Sequence, residues 1–418
     1  MITKKTRLKF NSIYAAVDIG SSKIACIVGK NNSEDKMEIL GCEYQTTKSV
    51  KKGLIIDSYN IEEEIKTVVN KVAKKTNTEI SNIILNATVT NSKSNFLRGI
   101  SEISGEQIDD LHIKSAINNS NLYTYNEEFE SLHNVINNFD LDKEKKVNNP
   151  KNLFANQLAV NIYQVMVKKN YLKSIRGILS NLNLNVEYFV ASPFASSLAT
   201  LIKDEKELGA ICIDLGSGIT SVCIIENDNL VFADAISVGS SNITYDIVSG
   251  LTTSLESAER LKTLYGSVFS NPSDEHELID VPIIGSDKNQ FNQINRSQLN
   301  TIIKARVEET LELIRQKLKE HNLDKKLIRN LVLTGGGSLL EGIEEYAQII
   351  FDSKTRISQP ISIEGLDNKF NKPQFSQTVG LMIYEENNHK FNFLLKNKEK
   401  IEKKTIFKRF FAWLDQYI

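Results

Sequence analysis

The sequence predicts an α/β fold of two lobes, each with an inserted subdomain, followed by a C-terminal amphipathic helix. Three observations carry this. The first is a duplicated hairpin: Ala16-Val17-Asp18-Ile19-Gly20-Ser21-Ser22-Lys23 and Cys212-Ile213-Asp214-Leu215-Gly216-Ser217-Gly218-Ile219-Thr220 each place an apolar strand before Asp-X-Gly-Ser and a second strand. The second is a βββαβ order that opens with the first hairpin. The third is Leu331-Val332-Leu333-Thr334-Gly335-Gly336-Gly337-Ser338, a strand running into a triple glycine. Glycine lets a turn bring its N–H groups against phosphate oxygens, and an aspartate at a strand end can hold magnesium through water. Two such hairpins imply two lobes closing on one nucleotide.

The elements follow from periodicity. Ile13 to Lys30 reads as strand, turn, strand, and Glu38 to Thr46 as a third strand. Ile61, Ile65, Val68, Val69 and Val72 recur at helical spacing before a strand from Ile83 to Ala87. From Thr88 to Val160 the pattern is polar and irregular, with an Asn- and Lys-rich stretch, Asn137 to Asn152, expected to be a solvated loop. Ala159 to Val167 is a strand, Tyr171 to Leu182 a helix, Val186 to Ala191 a strand, and Pro193 to Leu201 a helix opened by its proline. Beyond the second hairpin the chain turns helical at Ile243–Leu251, Ser254–Tyr265 and Arg296–His321, with a polar, partly strand-like interval at Val268–Phe291. A helix running to Phe351 is expected to follow the triple glycine and turn its N-terminus to phosphate.

Composition narrows the function. At 418 residues the chain can bury substantial cores, and a formal net charge of -1 gives no global basic field for nucleic acid. Cys26, Cys42, Cys212 and Cys223 lack CxxC spacing and fit buried, reduced thiols of a cytosolic protein. The five histidines have no metal-ligand spacing, and neither a signal peptide nor a transmembrane helix is evident.

The two hairpins, the late Thr-Gly-Gly-Gly segment and their order resemble the actin, Hsp70 and sugar-kinase superfamily, which implies an actin-like two-lobed ATPase fold. Within it the chain resembles the bacterial cell-division FtsA family. The supporting motifs are Asp18-Ile19-Gly20-Ser21-Ser22-Lys23, Lys52-Gly53-Leu54-Ile55-Ile56-Asp57, Ala258-Glu259-Arg260-Leu261-Lys262-Thr263-Leu264-Tyr265-Gly266, Leu333-Thr334-Gly335-Gly336-Gly337 and Thr378-Val379-Gly380-Leu381. The resemblance implies a first-lobe core at 13–83 and 166–205, with 374–386 returning to it, and an inserted subdomain at 84–165. The second-lobe core would be 206–237 and 327–373, its insertion 238–326, followed by a linker at 387–404.

It also implies ATP and Mg2+ as ligands. Asp18 and Asp214 would hold the magnesium shell. Gly20, Ser21, Ser22 and Lys23 would cradle phosphates from one side, and Gly216, Ser217, Gly218 and Thr220 from the other. Glu259 and Lys262 would face adenine and ribose, with Gly335, Gly336 and Gly337 as the floor. Two departures from ATP-hydrolysing relatives bear on turnover. Ser192 precedes Pro193 where those relatives carry an acid, and Gly218-Ile219-Thr220-Ser221 stands where they often end Gly-X-X-Asp. A serine hydroxyl is too weak a base to take a proton from water at neutral pH, so ATP is expected to bind with slow or negligible hydrolysis.

Residues 405–418 give a second signal. Ile406, Phe407, Phe410, Phe411, Trp413, Leu414, Tyr417 and Ile418 recur at one-turn spacings, bordered by Lys404, Lys408 and Arg409. Such a helix can lie in an anionic lipid interface but is too short to span it. The resemblance implies an adaptor that anchors filaments of the tubulin-like GTPase FtsZ to the inner face of the cytoplasmic membrane and self-associates head to tail. The FtsZ C-terminal tail would dock on the second-lobe insertion, with Arg296, Lys304 and Arg306 as candidate partners for its acidic residues, and later division proteins would meet the first-lobe insertion. The competing readings are an active ATPase or sugar kinase on the same fold, and an actin-like protein of pilus assembly or cell shape.

Overall fold

The computed structural model describes residues 13–32, 36–284, 290–323 and 330–391. The eight apolar residues from Ile406 to Ile418 assigned to the membrane helix lie outside them. The chain divides into two compact units, one built from 13–92 with 170–384 and the other on 93–169.

The first unit opens with β1 (Ile13–Ile19) and β2 (Lys23–Asn31), an antiparallel hairpin, and β3 (Met37–Thr46) extends it. A tight pair, β4 (Val50–Lys51) and β5 (Leu54–Ile55), turns at Lys52 and Gly53, both with positive φ. Helix α1 (Ser58–Thr76) begins where Asp57 accepts from the Asn60 N–H and ends at left-handed Asn77. It buries the five residues whose spacing predicts it, Ile61, Ile65, Val68, Val69 and Val72. β6 (Asn82–Ala87) then runs parallel to β1.

The second unit has its own core. β7 (Lys93–Glu102), α2 (Asp110–Asn119), β8 (Phe129–Leu141), β9 (Lys145–Val147) and β10 (Gln157–Lys168) give an antiparallel sheet in the order β7-β10-β8-β9. Ala116 and Ile117 of α2 pack with Phe139, Leu141, Leu158, Val160 and Ile162 of the sheet. The expectation of a solvated loop from Asn137 to Asn152 is therefore corrected. Its first five residues are the end of β8, because Phe139 and Leu141 alternate inward while Asn138 accepts from Asn161 Nδ2 at 2.7 Å. Asparagine content masked a period-two pattern.

After α3 (Lys169–Asn181), β11 (Asn185–Ala191) pairs parallel with β6 and completes the sheet β11-β6-β1-β2-β3. The chain crosses through α4 (Ser192–Thr200) and α5 (Lys203–Leu208) to a second hairpin, β12 (Ala210–Leu215) and β13 (Thr220–Glu226), with β14 (Asn229–Ile236) alongside. Next come α6 (Ser240–Leu251), α7 (Leu255–Tyr265), the strand pair β15 (Leu278–Pro282) and β16 (Phe291–Asn295), and the long α8 (Arg296–Glu320). β17 (Asn330–Thr334), α9 (Ile343–Phe351), β18 (Lys354–Ile357) and α10 (Ser376–Phe391) close the unit's sequence. The second sheet is ordered β14-β13-β12-β17-β18. Each sheet thus carries a hairpin, a third antiparallel strand outside it and two parallel strands on the other flank, so the duplication seen in the motif extends to the sheet. The helix expected straight after the triple glycine is displaced. A 3-10 turn occupies Gly336–Leu339, and α9 starts only at Ile343.

Helices α4 and α10 cross at their backbones. A Cβ on Gly380 would lie 1.8 Å from the Ala195 carbonyl oxygen, and main chain in two helices cannot step aside. Gly380→Ala is expected to destabilise the protein by about 3 kcal/mol or more, an overpacking cost, read as a lower denaturant midpoint at unchanged m-value. An unchanged midpoint would mean that the helices are not in contact there.

Candidate functional site

One cavity of about 570 Å³ gathers the sequence-predicted residues of both hairpins except Thr220. It is lined by Asp18, Gly20, Ser21, Ser22 and Lys23, by Asp214, Gly216, Ser217 and Gly218, by Glu259 and Lys262, and by Gly335, Gly336 and Gly337. The two strand ends hold a carboxylate each, Asp18 buried and Asp214 partly buried. Gln377 Nε2 donates to Asp18 Oδ1 at 2.5 Å and Thr378 Oγ1 to Oδ2 at 2.7 Å, both from the first turn of α10. Ser196 Oγ of α4 donates to Asp214 Oδ2 at 2.5 Å. Burial raises both carboxyl pKa values above the usual range, and the hydroxyl and amide donors with the Lys23 ammonium only partly oppose it. Gly335 meets this centre directly. Its φ is +83°, and a Cβ there would stand 2.2 Å from Asp214 Oδ1, so no other residue fits without displacing the carboxylate.

The turns themselves are anchored from outside. Ser21 Oγ accepts from the Gly53 N–H at 3.1 Å, which ties the first turn to the β4–β5 pair. The Ser240 and Ser241 N–H groups donate to the Gly216 and Ser217 carbonyls, both at 2.9 Å, fixing the second turn to the start of α6. Ser240 and Ser241 line the cavity, so the helix N-terminus offered to it belongs to α6 and not to the helix after the triple glycine. On α7, Lys262 Nζ bonds Glu259 Oε2 at 2.8 Å and Thr244 Oγ1 at 2.9 Å, while Thr244 donates to Glu259 at 2.6 Å. This three-membered cluster presents both charges to the cavity wall.

Thr220 is a correction. It is fully buried and faces away from the cavity, toward Leu215, Ile243 and Val307. As the first residue of β13 it points opposite to its neighbour Ser221, which does line the cavity and stands across from Asp214. The three cations proposed for an acidic peptide are already engaged within the chain. Arg296 bonds the Tyr265 carbonyl at 2.8 Å and Glu341 at 3.0 Å, and Arg306 makes a two-bond fork with Asp246 at 2.5 and 2.9 Å. Lys304 stands 5.8 Å from the Tyr346 ring centre. The sequence reading missed Ser196, Gln377 and Thr378. Only Thr378 had a signal, as the first residue of the Thr-Val-Gly-Leu motif.

Among the described residues no cluster of three His, Cys, Asp or Glu could chelate a metal. Asp18 and Asp214 each already accept from a neighbour, with Lys23 acting on both. This donor set fits a magnesium ion that keeps its water shell and takes its inner ligands from phosphate, with the two carboxylates bonding the waters.

Two sheets of matching order that bring paired Asp-X-Gly turns and a triple glycine to one cavity define the actin-like class. Solved structures of that fold cover most of the chain. A PilM-PilN type IV pilus biogenesis complex has a TM-score of 0.59 at 14% identity, over 88% of this chain and 97% of that one. MreB5 of Spiroplasma citri bound to ADP has a TM-score of 0.55 at 14% identity, over 90% and 97%. The family is narrower. The model of cell division protein FtsA matches residues 211–380, and that of the SHS2 domain inserted in FtsA matches 90–166. Cell division protein FtsA of Agrobacterium fabrum is 32% identical over 389 residues, 90% of this chain and 88% of that one. The Borreliella burgdorferi protein of the same name is 26% identical over 402 residues, 94% and 96%. The chain belongs to the FtsA family of actin-like cell-division proteins.

Raised carboxyl pKa values make the folded protein hold these protons more tightly than the unfolded chain, whose value is near 3.8. The stability they contribute is present below that value and lost as pH rises through the folded pKa values. Asp214→Asn is therefore expected to melt higher than the nucleotide-free wild type at pH 7 and to show a shallower loss of melting temperature from pH 4 upward. A lower melting temperature at every pH would assign Asp214 a net stabilising role instead.

Proposed function

We propose that this FtsA-family protein is an ATP-binding adaptor, with Mg2+, that couples filaments of the division GTPase FtsZ to the inner face of the cytoplasmic membrane. The observation that carries the nucleotide part is the convergence of both Asp-X-Gly turns, the Glu259–Lys262 pair and the triple glycine on one cavity. In this reading the turns of Gly20–Lys23 and Gly216–Gly218 cradle the phosphates, and Gly335–Gly337 lie beneath the adenosine. Asp18 and Asp214 order the metal's waters. Magnesium, when bound, neutralises phosphate charge; the chain's own part is to fix and shield the triphosphate.

Turnover is expected to be slow for a structural reason. Ser192 and Ser221 both line the cavity, and the Ser192 hydroxyl is committed to the Ala87 carbonyl at 3.1 Å. Neither is a base able to activate water. Calorimetry is expected to give magnesium-dependent ATP binding, with phosphate release well below the roughly 1 to 10³ per second usual for enzymes. Release inside that range would make the protein an ATPase and overturn the adaptor reading.

The membrane and partner parts rest on sequence and family. Residues 405–418 would lie in the lipid interface, joined by the linker expected at 387–404, the first five residues of which are instead the end of α10. The FtsZ tail would dock on the second-lobe insertion, 238–326, where an acidic peptide competes with Glu341 and Asp246 for Arg296 and Arg306. Among the described residues Lys304 makes no ion pair, only the contact with the Tyr346 ring, and it is the cleaner probe. The first-lobe insertion would meet later division proteins, and copies of the chain would assemble head to tail. Trp413→Glu is expected to release the protein from anionic liposomes with ATP binding intact, and Lys304→Glu to weaken binding of an FtsZ tail peptide. Retention of Trp413→Glu on the liposomes would remove the lipid anchor, and unchanged peptide affinity would move the docking site elsewhere.

A further inference from the structure

Gln374 lines the same cavity, yet its side-chain oxygen is buried and has no hydrogen-bond partner among the described residues. A buried acceptor without a donor is costly and calls for an explanation. Three residues along, Gln377 shows the alternative, with its amide committed to Asp18 at 2.5 Å. Gln374 is held in place without using its side chain. It belongs to the one-turn segment Pro373–Phe375, where the Pro373 carbonyl accepts from the Gly335 N–H at 3.2 Å and from Thr334 Oγ1 at 3.4 Å. Its Cβ stands 3.6 Å from where a side chain on Gly336 would begin, so the amide is placed beside the middle of the triple glycine. Leu264 and Leu339 line this cavity too, although they are 59% and 61% exposed. Exposed leucines on a cavity wall suit the face of a flat ring better than a phosphate.

We infer that Gln374 reads the base of the nucleotide, selecting adenine over guanine by the donor and acceptor of its side-chain amide; this rests on the nucleotide reading above. The terminal torsion of a glutamine is soft, so the uncommitted amide can turn its oxygen to a ligand donor. An amide offers an acceptor beside a donor, which matches the amino group and adjacent ring nitrogen of adenine. Guanine presents two acceptors at the corresponding major-groove edge and leaves the oxygen unpaired. Rejection by an unpaired buried group is stronger than rejection by shape alone.

The test titrates the full chain with ATP, GTP and 2′-deoxy-ATP in magnesium by calorimetry, for wild type, Gln374→Ala and the near-isosteric Gln374→Met, with melting curves confirming the fold. Wild type is expected to prefer ATP over GTP by about ten-fold or more, and both variants to narrow this to within about three-fold by losing ATP affinity, as one base-reading amide predicts. Equal weakening of ATP and GTP, or lost discrimination against the deoxynucleotide alone, would assign the amide to the ribose and overturn the inference. Equal wild-type affinity for ATP and GTP would overturn it while leaving the nucleotide site intact. A wild type that binds none of the three would refute the nucleotide reading, and the inference with it.

Discussion

Two carboxyl groups withdrawn from water, Asp18 buried and Asp214 partly so, line one cavity, and much of the first unit is arranged to make that tolerable. Asp18 and Asp214 end equivalent strands of equivalent sheets, where desolvation raises both carboxyl pKa values and the nearby Asp18 raises that of Asp214 further. Neither draws its hydrogen-bond support from its own hairpin. Asp18 takes it from α10 and Asp214 from α4, and those helices touch main chain to main chain at Gly380 and Ala195. The carboxylates, the turns and the helix crossing therefore stand or fall together. A ligand that brings cationic charge to the cavity relieves a strain that the empty protein carries, which is how a site can be costly to fold and strong in binding.

The sheet framework was legible because its signals are local. Period-two alternation and Asp-X-Gly turns mark both hairpins, and five apolar residues at helical spacing mark α1, all of them buried. The role of the helix donors to Asp18 was not legible, because Gln377 and Thr378 lie 359 and 360 residues away and the motif that begins at Thr378 does not say what its hydroxyl bonds. Tertiary approach alone gives them their partner.

The errors have physical causes of the same kind. Thr220 was grouped with the turn, but it already obeys the alternation of β13, so one residue of phase sends its hydroxyl to the other side of the sheet. The stretch from Asn137 was judged on composition, while Phe139 and Leu141 held it in a strand. Arg296 and Arg306, the candidates for pairing with an acidic tail, carry ion pairs that the sequence did not show. Each has carboxylates supplied by distant elements, Glu341 and Asp246, that no window around the arginine contains.

The inserted unit enters on β7 and leaves on β10, and these are paired antiparallel neighbours, with Lys93 opposite Met166. Lys93 and Met166, three residues before the unit's last, therefore lie about 5 Å apart, the spacing of adjacent strands, and the unit carries a hydrophobic core of its own. An insertion with adjoining ends places little demand on the chain that hosts it. Such a unit can be lengthened, exchanged or excised in evolution with only a short splice between Ser92 and Asn170, leaving β6 before it and α3 after it.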